Sequence, residues 1–193
     1  MYIRNMRKFI AVWVFLAAGL CLEAQTLSWD IRFIKGEEME SIPISQIIRL
    51  GTGTAFRIEI VPASPCYCYV VSYDMQRRIS VVFNDQLENG EEIKLGPFKI
   101  VDPPGFETLY VVMSLARQTK LETLIQNLNN DPGSWQNADN LRREVTSLQN
   151  DASRLGEPAS AFIASGGTSR GNDGYVTRFS EKNMYVRSIV IRH

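Results

Sequence analysis

Cys66-Tyr67-Cys68 is the spacing in this chain that most invites chemistry, because two thiols two residues apart can close a disulfide or lend a thiolate pair to a metal. On a regular strand, positions two apart have Cα atoms about 6.6 Å apart, at the upper edge of the roughly 4.4 to 6.8 Å that disulfides span. Such a bridge is strained. A structural zinc site needs two more ligands, and after residue 24 the sequence holds no further cysteine and one histidine, His193. Buried apolar thiols on one strand face are therefore the first expectation for Cys66 and Cys68. A disulfide of unusual geometry or between chains, and redox or metal work, stand as the alternatives.

His193 is the last residue of the sequence, where chains usually fray. A Ser-His-Asp or Cys-His catalytic group is not expected there. The paired carboxylates Glu37-Glu38 and Glu91-Glu92 read as loop residues, with nothing in their spacing to hold two groups across a cleft. Thr52-Gly53-Thr54 lacks the lysine and the spacing of a phosphate loop and reads as a turn, and Gly166-Gly167 reads as linker. No catalytic residue, cofactor or metal is expected. Tyr67, Tyr69 and Tyr73 fall on one strand face, where they either pack on the core or offer a stacking surface to a sugar or a partner's apolar edge.

The elements that would position these residues are mostly strands. From Thr26, Leu27, Trp29, Ile31 and Phe33 alternate with polar residues, as a half-buried strand does. The segment from Ile42 to Leu50 contains Pro43, which suits a sheet edge. Phe56, Ile58 and Ile60 alternate again, and the run from Cys66 to Asp74 is apolar or aromatic on both faces, as a central strand is. Ile79, Val81 and Phe83 form the next strand, short pieces follow at 92–95 and 98–101, and Pro103-Pro104-Gly105 breaks the chain before a strand at 108–114. A Thr119-x-x-Glu122 capping box then opens a helix that ends at Asp131-Pro132-Gly133. A second helix carries Leu141, Val145, Leu148, Ala152 and Leu155 on one stripe and stops at Gly156 and Pro158. Residues 157–174 read as a flexible loop, and two strands near 175–179 and 184–191 close the chain as a hairpin. The expected fold is mainly β: one immunoglobulin-like β-sandwich domain over 25–193, with two α-helices inserted at about 119–156 before a C-terminal β-hairpin.

The first twenty-four residues read as an export signal, with Arg4, Arg7 and Lys8 ahead of an apolar run from Phe9 to Leu22 and a small residue, Ala24, at the cleavage point. The run is shorter than the roughly 18 to 20 residues that cross a bilayer. Cleavage after Ala24 places the protein in a periplasm or outside the cell. The alternative is a lipoprotein anchored at Cys21, although Leu20 is bulky for a lipobox, and membrane association would follow from that anchor or from a partner. The chain has 21 basic and 21 acidic residues, and removing Arg4, Arg7, Lys8 and Glu23 with the leader leaves 18 against 20. Such a balance carries no footprint for nucleic acid.

From Gly51-Thr-Gly-Thr-Ala-Phe-Arg-Ile-Glu-Ile60, through Cys66-Tyr-Cys-Tyr-Val-Val-Ser-Tyr-Asp74 and Ile79-Ser-Val-Val-Phe-Asn84, to Pro104-Gly-Phe-Glu-Thr-Leu109, the order of features resembles the bacterial domain-of-unknown-function 4384 family. The resemblance covers roughly residues 45–128. It implies a small β-rich module of an exported or envelope-associated protein and no catalytic residues. Asn84-Asp85 stands where that family commonly has a proline-containing segment. Glu107 either caps backbone donors beside the Pro-Pro-Gly turn or faces a ligand. The functional expectation is a non-catalytic cell-envelope module that binds a protein partner. A small-ligand or glycan-binding domain is the alternative, and a carboxylate-dependent envelope hydrolase comes third.

Overall fold

The structure is a computed structural model, and it describes residues 26–36, 40–44, 47–154, 162–164, 176–181 and 183–193. The leader with Cys21, the pair Glu37-Glu38, the helix stop at Gly156 and Pro158, and Gly166-Gly167 within the 157–174 loop lie outside them. The described part is mainly β, with two sheets and two helices.

Strand β1 (Leu27–Lys35) organises the first sheet, because its alternation gives it one wholly apolar face and its backbone pairs on both sides. β4 (Ala55–Pro62) lies antiparallel along one side of it, with Ile31 opposite Ile60. β10 (Val176–Glu181) lies along the other, with Trp29 opposite Phe179. β2 (Glu40–Ile42) pairs with the last residues of β1, β9 (Phe162–Ala164) extends the sheet beyond β10, and β7 (Ile93–Lys99) closes it beyond β4. The second sheet runs in the order β3 (Ile47–Arg49), β11 (Met184–Arg192), β8 (Phe106–Ser114), β5 (Cys66–Tyr73) and β6 (Ile79–Leu87). β3 is parallel to β11, and every other pair is antiparallel.

The inner faces share one hydrophobic core. Leu27, Trp29, Ile31 and Phe33 contribute from the first sheet, and Cys66, Cys68, Val70, Val111 and Ile189 from the second. The Trp29 indole sits 4.8 Å from the Phe179 ring and 5.6 Å from that of Tyr185, and Phe179 and Tyr185 are 4.8 Å apart, so three aromatics join the sheets. The two outer faces differ. That of the first sheet is laced with charge, including the two-pronged Arg178–Asp30 bridge at 2.7 Å and the buried Glu59 between Arg57 and Arg32. That of the second is apolar, with Tyr69, Val71, Ile79, Val112 and Val186 buried under helices α1 (Thr119–Asn130) and α2 (Trp135–Arg154). Leu121, Ile125 and Leu128 of α1 and Leu141 and Val145 of α2 complete this second core.

Three local expectations change. The last two strands do not form a hairpin: β10 belongs to the first sheet and β11 to the second. Phe179 and Tyr185 therefore meet across the core rather than side by side. The capping box does not form either, since the residue before α1 is Gln118 with no side-chain cap, and the Glu122 carboxylate is taken by Tyr69 and Arg117. The pieces at 92–95 and 98–101 are one strand, β7, whose register shifts against β4 between Phe56 and Ile58. Gly96 holds that irregularity at a φ of +114°, where a Cβ would lie 2.9 Å from the Phe98 nitrogen and 3.0 Å from the Phe56 oxygen.

Trp29→Ala removes the residue on which the three-ring contact is built. Large-to-small changes of this kind cost about 3 to 5 kcal/mol. Urea denaturation of the variant should show that loss, and a loss below about 1 kcal/mol would mean that the ring cluster does not hold the sheets together.

Candidate functional site

The outer face of β5 presents Tyr67, Tyr69, Val71 and Tyr73 to the helices, and the structure sends the three tyrosines into three different surroundings. Tyr69 is fully buried. Its hydroxyl donates to Glu122 Oε1 at 2.9 Å and accepts the Gln118 backbone N–H at 3.0 Å, so a sheet residue holds the first turn of α1. Burial, together with the Glu122 carboxylate beside it, pushes the Tyr69 phenol well above its ordinary pKa and keeps it a proton donor. Arg117 Nε completes the group with a 2.6 Å bond to Glu122 Oε2.

Tyr67 and Tyr73 are only partly buried, and each opens into a cleft. The first cleft, of about 510 Å³, has Tyr67 at its base, Asn84, Asp85 and Gln86 of β6 on one wall, and Gln126 and Asn129 of α1 on the other. The second, of about 650 Å³, lies between Tyr73 and the start of α2 and is lined by Arg77, Trp135, Asp139 and Arg142. Asp139 is bonded to Arg142 at 2.9 Å and Arg143 at 2.6 Å, and the Arg142 hydrogen bond holds its carboxyl below the usual carboxylate range. Trp135 is 79 % exposed over this cleft.

On the other side of the turn between β5 and β6, the exposed apolar surface that begins with Trp135 continues. Met75 is 58 % exposed, Val101 58 % and Phe106 46 %, and all three surround a small hollow beside Pro103. Gly105 admits the Met75 side chain, which any Cβ at that position would strike. Glu107 lies in the same hollow, 3.9 Å from His193 Nε2. His193 itself is held by two backbone hydrogen bonds to Gly105, at 2.8 and 3.0 Å.

Cys66 and Cys68 are free thiols on the inner face of β5, both buried in the core. Burial lifts Cys66 from 9.0 to about 11 and raises Cys68 further, with the neighbouring Cys66 adding to that rise. Neither thiol is poised as a nucleophile. Glu91 accepts the Glu88 backbone N–H and Glu92 pairs with Lys94, so the two carboxylates serve separate local contacts. Gly53 is a turn residue with a φ of +84°, next to a Thr52–Asp102 hydrogen bond. Among the described residues no group of three or more His, Cys, Asp or Glu could hold a metal ion, and no helix is long and apolar enough to cross a membrane.

Sequence reasoning found the tyrosines and Glu107 but passed over Trp135, Met75, Val101 and Phe106. Trp135 did leave a signal: it falls off the stripe of Leu141, Val145 and Leu148 that buries α2, so its large apolar ring has no place in that core. Comparison with protein-family models, curated proteins and solved structures finds no match to this chain, so its sites are read from their own geometry.

At pH 8 a thiol with a pKa of about 11 is ionised to only about one part in a thousand. Iodoacetamide should therefore leave Cys66 and Cys68 unmodified in the folded protein and label both in urea, as read by peptide mass. Rapid labelling of either in the native state would contradict the buried placement. In a separate test, Tyr69→Phe leaves the Gln118 N–H and Glu122 without their shared partner and should cost about 1 to 3 kcal/mol in denaturant unfolding.

Proposed function

We propose that this chain is an exported, non-catalytic module of the cell envelope, with an immunoglobulin-like core, that binds a protein partner through the apolar rim at the β5–β6 turn. One observation carries the reading. Five large apolar side chains stand exposed among the described residues, and four of them, Met75, Val101, Phe106 and Trp135, flank this one turn. Scattered singly such residues mean little, but gathered on one rim they are what binding surfaces offer. Aromatic and methionine side chains with arginines between them are the composition of interface centres, and Arg77, Arg78 and Arg142 lie among them here.

The fold reading is supported by strand order. β11, β8, β5 and β6 run as the G, F, C and C′ strands of a variable-type sandwich do, and β1, β4 and β7 run as A, B and E. The larger added elements, α1, α2 and the pair β9 and β10, fall between β8 and β11 in the sequence, and the short β2 and β3 fall between β1 and β4. Export is supported by the charged start, apolar run and small residue of the first twenty-four positions.

A photo-reactive residue placed at 75, 106 or 135 should give the same single protein adduct in native envelopes, and one placed at Lys94, on the first sheet, should not. Trp135→Ala and Phe106→Ser change only exposed positions, so folding should be unaffected, yet each should weaken the adduct's partner by about tenfold or more. Equal adducts at all four positions, or none at the rim, would reject this surface.

A further inference from the structure

We propose that the Tyr67 cleft, at the other end of β5, is a binding site for a short uncharged saccharide. It is separate from the rim at the β5–β6 turn: Tyr67 and Tyr73 are six residues apart, about 20 Å along the strand. The chemistry of the walls selects the ligand. Asn84 and Gln86 face Gln126 and Asn129 across the cleft, and none of the four side-chain amides has a hydrogen-bond partner among the described residues. Each amide offers both donor and acceptor atoms, the pairing that a sugar hydroxyl also carries. Two such walls can meet a ring bearing hydroxyls on opposite edges. At the base, the partly open Tyr67 ring, backed by the buried Ile125, supplies an apolar face suited to the C–H face of a pyranose.

Charge narrows the class. Arg117 and Glu122 neutralise each other. Asp85 stands opposite the inward-facing Cys68, on the other face of β6, with its Oδ1 taken by the Gln86 N–H, so the cleft offers no unpaired charge. An ionic ligand, such as a phosphate or an acidic sugar, finds no counter-charge to offset its desolvation there, and an uncharged one needs none. The same network makes the site rigid. Tyr69, Gln118, Glu122 and Arg117 tie α1 to β5, so the amide-bearing wall is positioned before any ligand arrives, and the free N–H groups of Arg117 add donors at the rim. At about 510 Å³ the cleft lies within the range of small-molecule sites.

The test is an amide NMR titration of the purified chain with cellotriose, maltotriose and triacetylchitotriose. At least one of these should shift the signals of 84–86 and 117–129 in a saturable way. Asn84→Ala and Gln126→Ala, both at exposed positions, should each weaken that binding by several-fold, Tyr67→Ala by about tenfold, and Tyr67→Phe should retain it, because the ring and not the hydroxyl makes the contact. Trp135→Ala should leave it unchanged, so the site stands or falls apart from the docking rim. No response to any of the three saccharides up to 10 mM overturns the proposal. So does a response that the cleft substitutions do not alter, or a response of the β6 amides to an Ala-Thr hexapeptide in place of the sugars, which would mean strand addition at this edge.

Discussion

β5 buries both of its faces, and most of the architecture follows from that requirement. Cys66, Cys68 and Val70 point into the core between the sheets, while Tyr69 and Val71 point out of the sandwich and are buried just as completely. A strand of this kind must have a layer on each side. The first sheet provides one, and the α1–α2 pair provides the other. The first sheet needs no such cover, because its outer face carries the Arg178–Asp30 pair within reach of water and a buried Glu59 whose charge is met by Arg32 and Arg57. The asymmetry between the sheets thus comes from which residues alternate on their outward faces.

The helical layer depends on polar anchoring as well as on apolar contact. α1 is twelve residues long, near the length at which an isolated helix is marginal, and it has no side-chain cap. Its first turn is held from below by Tyr69, which accepts the Gln118 N–H and donates to Glu122. Lys120 and Glu144 pair between the two helices. A buried phenol in contact with a carboxylate is costly if either partner goes, so these contacts fix where α1 sits rather than merely adding to its stability.

Much of this was legible in the residues, and the failures have physical causes. The alternation of Leu27, Trp29, Ile31 and Phe33 announced β1, and the two-faced apolar run announced β5, because burial writes directly into a period of two. The helix stop at Asp131-Pro132-Gly133 was local chemistry and held. The Thr119–Glu122 box failed because a partner fifty-three residues away took the carboxylate, and nothing in a four-residue pattern can report that competition. The closing strands were misread for a similar reason. A short polar connection suits a hairpin and a corner between sheets equally well, and only the pairing of β10 with β1 and β11 with β8 decides between them. Spacing likewise put three tyrosines on one face, yet it could not say where the helices above would end.

Where those helices end is what turns a packed strand into a candidate binding element. The layer covers the middle of β5, where Tyr69 and Val71 are fully buried, and it leaves Tyr67 and Tyr73 partly open at either end. Each opening inherits its character from the edge beside it. Near Tyr67 the neighbours are the amides and the acid of β6 and the polar side of α1, which makes a hydrophilic cleft. Near Tyr73 they are the exposed first residue of α2 and a turn whose Met75 rests over Gly105, which makes an apolar rim. One alternating strand, covered at its centre and open at both ends, therefore gives two candidate sites of opposite polarity with the Tyr69 anchor between them. The first opening is walled by α1 and the second by α2, and Tyr69 anchors the start of α1 between them.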